Sequence, residues 1–304
     1  MQQSKPRHRV RTFFASFFGI IAVSLVMSSL VIVWLNRTLT NTQTYVNTVA
    51  PLASKPDVQN FIADKTTTEL LKNASKVDLA NALLPEDQRV DKNTDQLIVV
   101  LEPLIHKNVL QVIQGPEFAA LWKTSNQTAH QEFIKQLDSN QPNITLHLHP
   151  LASGVVSQLK ASQLSAVTDQ LQIKDNAVEV DLTGSGITKI RQAYRNLHTA
   201  TWVVVAATLV FLALAIIIST HHLKTIRRIL IGSGVLLLLL AFSVKAASYV
   251  SVGNNNDEIT RKATISLVQT LLHNLQLASL ILGAAFILIA IALKVFSVHH
   301  DKTV

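Results

Sequence analysis

Four long apolar runs punctuate the chain, and the segments between them are patterned for water. Thr12–Leu35 is relieved only by Ser, Thr and Gly, and Trp202–Ile218 only by Thr208. Ile229–Val244 and Leu277–Leu293 are the third and fourth runs. The long ones suffice for a helix across a ~30 Å hydrocarbon core. The third is short, and the spacing predicts that Lys245 snorkels from it to the interface. Ahead of the second run, Ile187, Ile190, Tyr194, Leu197 and Thr201 recur at helical intervals, while Lys189, Arg191, Arg195 and Asn196 fall elsewhere on the helix. The pattern over Ser185–Thr220 therefore predicts one unbroken helix that begins as an amphipathic stalk and ends as a membrane span. Asp257–Leu275 repeats the arrangement: Ile265, Val268, Leu272 and Leu275 form a stripe leading into the fourth run. Asp257 with Arg261 and Glu258 with Lys262 are spaced for i, i+4 pairs, and Gly253–Asn256 reads as the cap of that helix.

The long segment between the first two runs has its own periodicities. Pro51-Leu-Ala-Ser-Lys-Pro56 with Asp57 is a turn followed by a helix start. Val58, Phe61, Ile62, Leu70, Leu71 and Ala74 predict an amphipathic helix with a weak point at Thr66–Thr68. Leu97–Ile113 reads as helix, bent or restarted at Pro103. Gly115-Pro116 stops it, and Glu117–Leu137 is the next helix, with Phe118, Leu121, Trp122, Phe133, Ile134 and Leu137 toward a core. Asn143–His149 and Ala177–Leu182 alternate as half-buried strands, with a helix over Leu151–Leu164 between them. Gly184-Ser-Gly186 then turns the chain into the stalk.

Charge changes the picture by assigning sides. The net charge is +8, but Arg37–His198 holds 15 Lys/Arg against 16 Asp/Glu. The excess lies in Lys5, Arg7, Arg9 and Arg11 and in Lys224, Arg227 and Arg228, beside apolar runs. That is the positive-inside pattern, and it argues against nucleic acid as a partner. No Cys is present, so disulfides, thiolate metal sites and cysteine nucleophiles are excluded. The first run is long, closes on Trp34 and is followed by Asn36-Arg37; cleavage after Ala50 would leave Pro51 next. It therefore reads as an uncleaved signal anchor.

The predicted fold class is an α-helical membrane protein with four transmembrane helices and a mostly helical α+β extracytoplasmic domain, carrying a small sheet, between spans 1 and 2. The predicted segments are a basic cytoplasmic N-terminus (1–11), span 1 (12–35), the extracytoplasmic domain with its stalk (36–200) and span 2 (201–219). A cytoplasmic loop (220–228), span 3 (229–247), an extracytoplasmic loop and amphipathic helix (248–275), span 4 (276–296) and a cytoplasmic tail (297–304) complete the chain. Both termini are expected in the cytoplasm of a multi-pass cell-membrane protein.

Trp34-Leu-Asn-Arg-Thr-Leu39, Thr44–Gln59 with its Tyr-Val…Pro-Leu-Ala core, Pro116–Trp122, Ala129-His130 and Ala193-Tyr-Arg195 together resemble a family of uncharacterised four-span membrane proteins of actinobacteria and other Gram-positive bacteria. The resemblance covers most of the chain. It implies a shared architecture and carries no activity with it. The His147-Leu-His149 strand departs from it.

Candidate chemistry is sparse. His147 and His149 share a predicted strand face, a spacing that can chelate a metal, but no third ligand accompanies them, and solvent-facing histidines are the plainer reading. His221-His222 and His299-His300 fall at predicted membrane edges and read as interfacial anchors. Gly184-Ser-Gly186 is not a nucleophile elbow. Asn-x-Ser/Thr triplets at Asn36, Asn73, Asn126 and Asn143 carry no weight. The runs hold no acidic residue, which disfavours an ion-coupled carrier. No catalytic, cofactor-binding or metal-binding residue is assigned. The sequence points to a non-enzymatic envelope protein whose outer domain binds a wall component, a peptide or a membrane partner as sensor or scaffold. The alternatives are an accessory subunit of a transporter or channel, and an envelope hydrolase or transferase. Besides the lipid bilayer, a membrane-protein or cell-wall partner is expected.

Overall fold

The computed structural model describes residues 6–73, 80, 84, 94–139, 144–147, 149–160, 179–182, 185–250 and 257–300. In chain order the elements are α1 (Pro6–Thr40), α2 (Thr42–Val49), a 3-10 turn (Ala50–Ser54), α3 (Pro56–Asn73), α4 (Thr94–Ile113), α5 (Pro116–Asp138), β1 (Ile144–His147), α6 (His149–Lys160), β2 (Glu179–Leu182), α7 (Ser185–Ile218), α8 (His222–Val250) and α9 (Glu258–His300). Two compact units divide them. The spanning unit comprises 1–39, 192–251 and 272–304, and the polar unit comprises 40–191 and 252–271.

The spanning unit holds four helices long and apolar enough to cross a membrane. Each overruns the apolar run that predicted it, because a helix satisfies its own backbone in lipid and water alike and need not stop where the solvent changes. Lipid tails give apolar helices no hydrophobic reason to associate, so close approach and polar clasps must hold them. Both occur. A Cβ on Gly234 would stand 2.9 Å from the Gly283 carbonyl oxygen and 2.7 Å from Ile287 Cγ1, so α8 and α9 cross with backbones nearly touching. Gly19 faces Ile229, and Gly232 faces Val23, which sets α1 and α8 side by side and parallel. Thr208, the lone polar residue of its run, is buried on α7; its hydroxyl lies 2.7 Å from Ser29 Oγ of α1. At the basic end, Arg11 Nε donates to the Ile218 carbonyl, the exposed C-terminus of α7.

The polar unit is built on helix packing. Leu101, Ile105, Val109 and Ile113 make an unbroken buried stripe on α4, joined by Ala63 and Leu70 of α3, Phe118 of α5, and Val155 and Leu159 of α6. α4 continues through Pro103 as one helix and is not restarted there. The reason is position. Pro103 and Val99, the residue whose carbonyl the ring displaces, are both exposed, so water can solvate the freed acceptor while the core face stays intact. Thr66–Thr68 is likewise unbroken helix, with Thr67 buried and Thr68 Oγ1 donating to the Asp64 carbonyl.

The predicted strands are described over part of their length. β1 and β2 form a two-stranded antiparallel ribbon with Ile144 opposite Leu182 and His147 opposite Glu179. The first strand ends at His147, and His149 already opens α6, with Pro150 at a first-turn position where its missing N–H costs nothing. Among the described residues the polar unit is helical apart from this ribbon. Ala177, Val178, Gly184 and Ala161–Leu164 lie outside the described residues.

Two further expectations are corrected. On α7, Ile187 is buried but Ile190 is 46% exposed. The residue that docks that helix is Arg191, whose Nε and Nη2 donate to the carbonyls of Leu137 and Gln136 at 3.2 and 3.1 Å, capping the C-terminus of α5. On α9, Glu258 pairs with Lys262 at 2.7 Å as predicted. Asp257 instead serves as the helix cap, accepting from Ile259 N and from Thr260 Oγ1, in place of the Arg261 pair. Residues 253–256 lie outside the described residues.

The glycines give a test. Gly234→Ala should destabilise the spanning unit by about 1–3 kcal/mol, because backbone oxygen cannot yield as a side-chain tip can. Gly186→Ala should be neutral or stabilising by up to ~1 kcal/mol, since its Cβ would meet nothing within 4 Å. Thermal unfolding of both variants in detergent, followed by size-exclusion chromatography, measures the difference.

Candidate functional site

The polar unit brings Thr44–Gln59 together with Pro116–Trp122 and Ala129-His130. Asn41 caps α2 by accepting from Thr44 N at 2.8 Å, which fixes the helix phase. Tyr45 then faces α5 and stacks on His130, with ring centroids 4.2 Å apart and an interplanar angle of 23°. Thr42 Oγ1 lies 3.1 Å from His130 Nδ1. One helical turn beyond Tyr45, the carbonyl of Val49 accepts from Trp122 Nε1 at 3.0 Å. Pro51 opens the 3-10 turn, and the buried Gln59 amide donates to Ala53 O at 2.7 Å, closing the turn onto α3. Val49, Leu52 and Val58 make a small apolar cluster, flanked by Tyr45, Ile62 and Trp122.

A fourth segment enters from far along the chain. Leu271 of α9 packs on the same cluster, and Ser266 Oγ donates to Asp57 Oδ2 at 2.7 Å. The first turns of α9 thus belong to the polar unit, while the helix from Leu272 onward belongs to the spanning unit. The contact residues are Leu271 and Ser266, neither of which the periodicity singled out; of the predicted stripe, Ile265, Val268 and Leu272 are half-buried and Leu275 is buried. A long-range contact between residues 209 apart leaves no mark on either local pattern.

Chemically this site is a joint. A hydroxyl beside a histidine can be an activated nucleophile when the base is oriented and the reacting atom accessible. Here His130 is 7% exposed with Tyr45 stacked on its ring, so the pair holds α2 against α5. Burial pushes the Tyr45 phenol above its ordinary value of 10.0. At the exposed start of α9, the Asp257 carboxyl is held below its usual range, chiefly by the Thr260 hydroxyl.

The remaining candidates are dispersed. His147 ends β1 and His149 begins α6, so the strand spacing that would let them share a metal is absent. Among the described residues no group of three His, Asp or Glu is arranged to hold a metal. His222 Nδ1 donates to the Ile216 carbonyl at 2.6 Å and helps close the turn between α7 and α8. His221 contributes its backbone N–H to Ser219 Oγ. Asn126 spends its amide on the Trp122 carbonyl. His299 and His300 end α9. Comparison with family models, curated proteins and solved structures returned no match.

Two outcomes follow. Leu271→Asp should lower the stability of the polar unit by about 1–3 kcal/mol. Leu267→Asp, on a face of the same helix that is 41% exposed, should be tolerated. Limited proteolysis of membranes carrying each variant separates the two; equal resistance would mean that α9 is not seated on the cluster. The second concerns pH. Because the folded phenol of Tyr45 resists ionising, the unfolded chain alone loses that proton as pH rises past 10.0. Stability should be unaffected by Tyr45 below that pH and decline above it. Comparing alkaline melts of the parent and Tyr45→Phe proteins isolates the effect, which Tyr45→Phe should remove.

Proposed function

We propose that the chain is a non-enzymatic cell-envelope membrane protein in which the polar unit is a binding module and α9 carries its state to the fourth span. In this reading both termini are cytoplasmic, the first span is an uncleaved signal anchor, and the polar unit is extracytoplasmic. It binds a wall component, a peptide or a second membrane protein. The resemblance to four-span proteins of actinobacteria and other Gram-positive bacteria is part of the proposal. The observation that carries it is the seating of Ser266 and Leu271 on Asp57 and the Val49–Leu52–Val58 cluster. A ligand that shifts α2 or α3 acts directly on a helix whose continuation is a candidate span. The spanning unit holds a single acid, Asp301, in residues 1–39, 192–251 and 272–304, which supports anchoring and transmission over ion-coupled transport.

Reporter fusions at Thr94 and His222 test the topology. Alkaline phosphatase should be active at Thr94 and inactive at His222, and the reverse pattern would invert the reading. Crosslinking in native membranes, with and without residues 40–191, tests the function. Partners should be captured only by the full chain. A phenotype and partner set that survive the deletion would move the function to the spans and favour the transport-accessory alternative.

A further inference from the structure

Within the spanning unit, a groove of about 370 Å³ opens between α1 and α8. Ala15 and Gly19 are buried there, and Gly19 against Ile229 and Val23 against Gly232 bring the two helices together. Ile20, Val23, Ile229 and Leu236 give it apolar walls. Arg228 lies along it, next in sequence to Ile229, with Ser16 also in the lining. A groove of this size and apolar lining is large enough to take a hydrocarbon chain from a bilayer. The arginine beside it has no carboxylate partner among the described residues.

The charge inventory says what must answer that arginine. Residues 1–39, 192–251 and 272–304 hold 12 Lys and Arg against one acid, Asp301. Arg11, Lys224, Arg227 and Arg228 gather at one end of the unit, since Arg11 reaches the C-terminus of α7 and the next helix begins at His222. A cationic cluster at a membrane edge, with so little anionic protein beside it, draws its counter-charge from phosphate headgroups. A cation next to an apolar slot of chain width selects a ligand carrying both an anion and a hydrocarbon tail.

We propose that the groove between α1 and α8 is a specific site for an anionic phospholipid. Its phosphate sits on the Arg228 guanidinium and one acyl chain lies against Ile20, Val23, Ile229 and Leu236. The Gly19 and Gly232 contacts hold the two parallel helices at the spacing that shapes the slot. The site does not depend on what the polar unit binds.

Native mass spectrometry of the full chain from nanodiscs with equal phosphatidylglycerol and phosphatidylcholine tests this. The parent protein should retain one phosphatidylglycerol in preference to phosphatidylcholine. Arg228→Gln should reduce that preference about fivefold, the factor for one basic side chain at an anionic surface. Arg228→Lys should keep most of it, and Lys245→Gln, at the other end of α8, should leave it unchanged. Ser24 also lines the groove, and Ser24→Phe, which fills the slot and keeps the charge, should abolish retention of the lipid. Indifference of the parent protein to headgroup charge would overturn the site, as would a preference unmoved by Arg228→Gln. Displacement of the lipid by millimolar inorganic phosphate alone would reassign the arginine to free phosphate and refute the acyl-chain half of the proposal.

Discussion

Helix α9 has to satisfy two solvents with one unbroken backbone, and the rest of the molecule is arranged around that requirement. Its first turns carry Glu258 and Lys262 outward and Leu271 onto an apolar cluster, in a unit whose remaining residues come from 40–191. Its later turns carry Leu277–Leu293 and meet α8 at Gly283. A helix can do both because its hydrogen bonds are internal and indifferent to the medium. Its side chains must change language along its length, apolar on one stripe and then apolar nearly all round. The Ser266–Asp57 bond and the Gly234–Gly283 crossing are the two anchors of that single element, one in each unit.

The two units are stabilised by different physics. In the polar unit, burial of α4's stripe against α3, α5 and α6 removes apolar surface from water, worth roughly 25 cal/mol per Å². No disulfide assists it, since the chain has no Cys. In the spanning unit the same burial earns little, because lipid is as apolar as Leu. Association there rests on close van der Waals contact at Gly19, Gly232, Gly234 and Gly283 and on the Ser29–Thr208 clasp.

Arg191 and Arg228 show how a charged residue reads differently once its surroundings are known. Both are bases near the ends of candidate spans. Arg191 is spent on the carbonyl end of α5, where the helix dipole and the carbonyls of Gln136 and Leu137 hold it. Arg228 lines an apolar groove in a unit nearly free of carboxylates. The first joins two helices of the polar unit; the second is the feature on which a lipid site can be argued.

The solvent map is written in residue type and spacing. Runs such as Trp202–Ile218 point to a low-dielectric environment, and Leu97–Ile113 reads as helix from its pattern. Tertiary structure decided what local pattern cannot encode: that Tyr45 meets His130, that Trp122 reaches the Val49 carbonyl, and that Leu271 rather than Val268 meets the cluster at Val49. It also decided that Pro103 leaves α4 whole, since the cost of a proline depends on whether water reaches the carbonyl it frees. Alternation over Asn143–His149 could not reveal that His149 belongs to α6, because a local pattern does not show where the next helix starts. Each of these depends on which distant segment arrives, and the free energy of that choice is shared among many contacts, none of them visible in the pattern of any one helix.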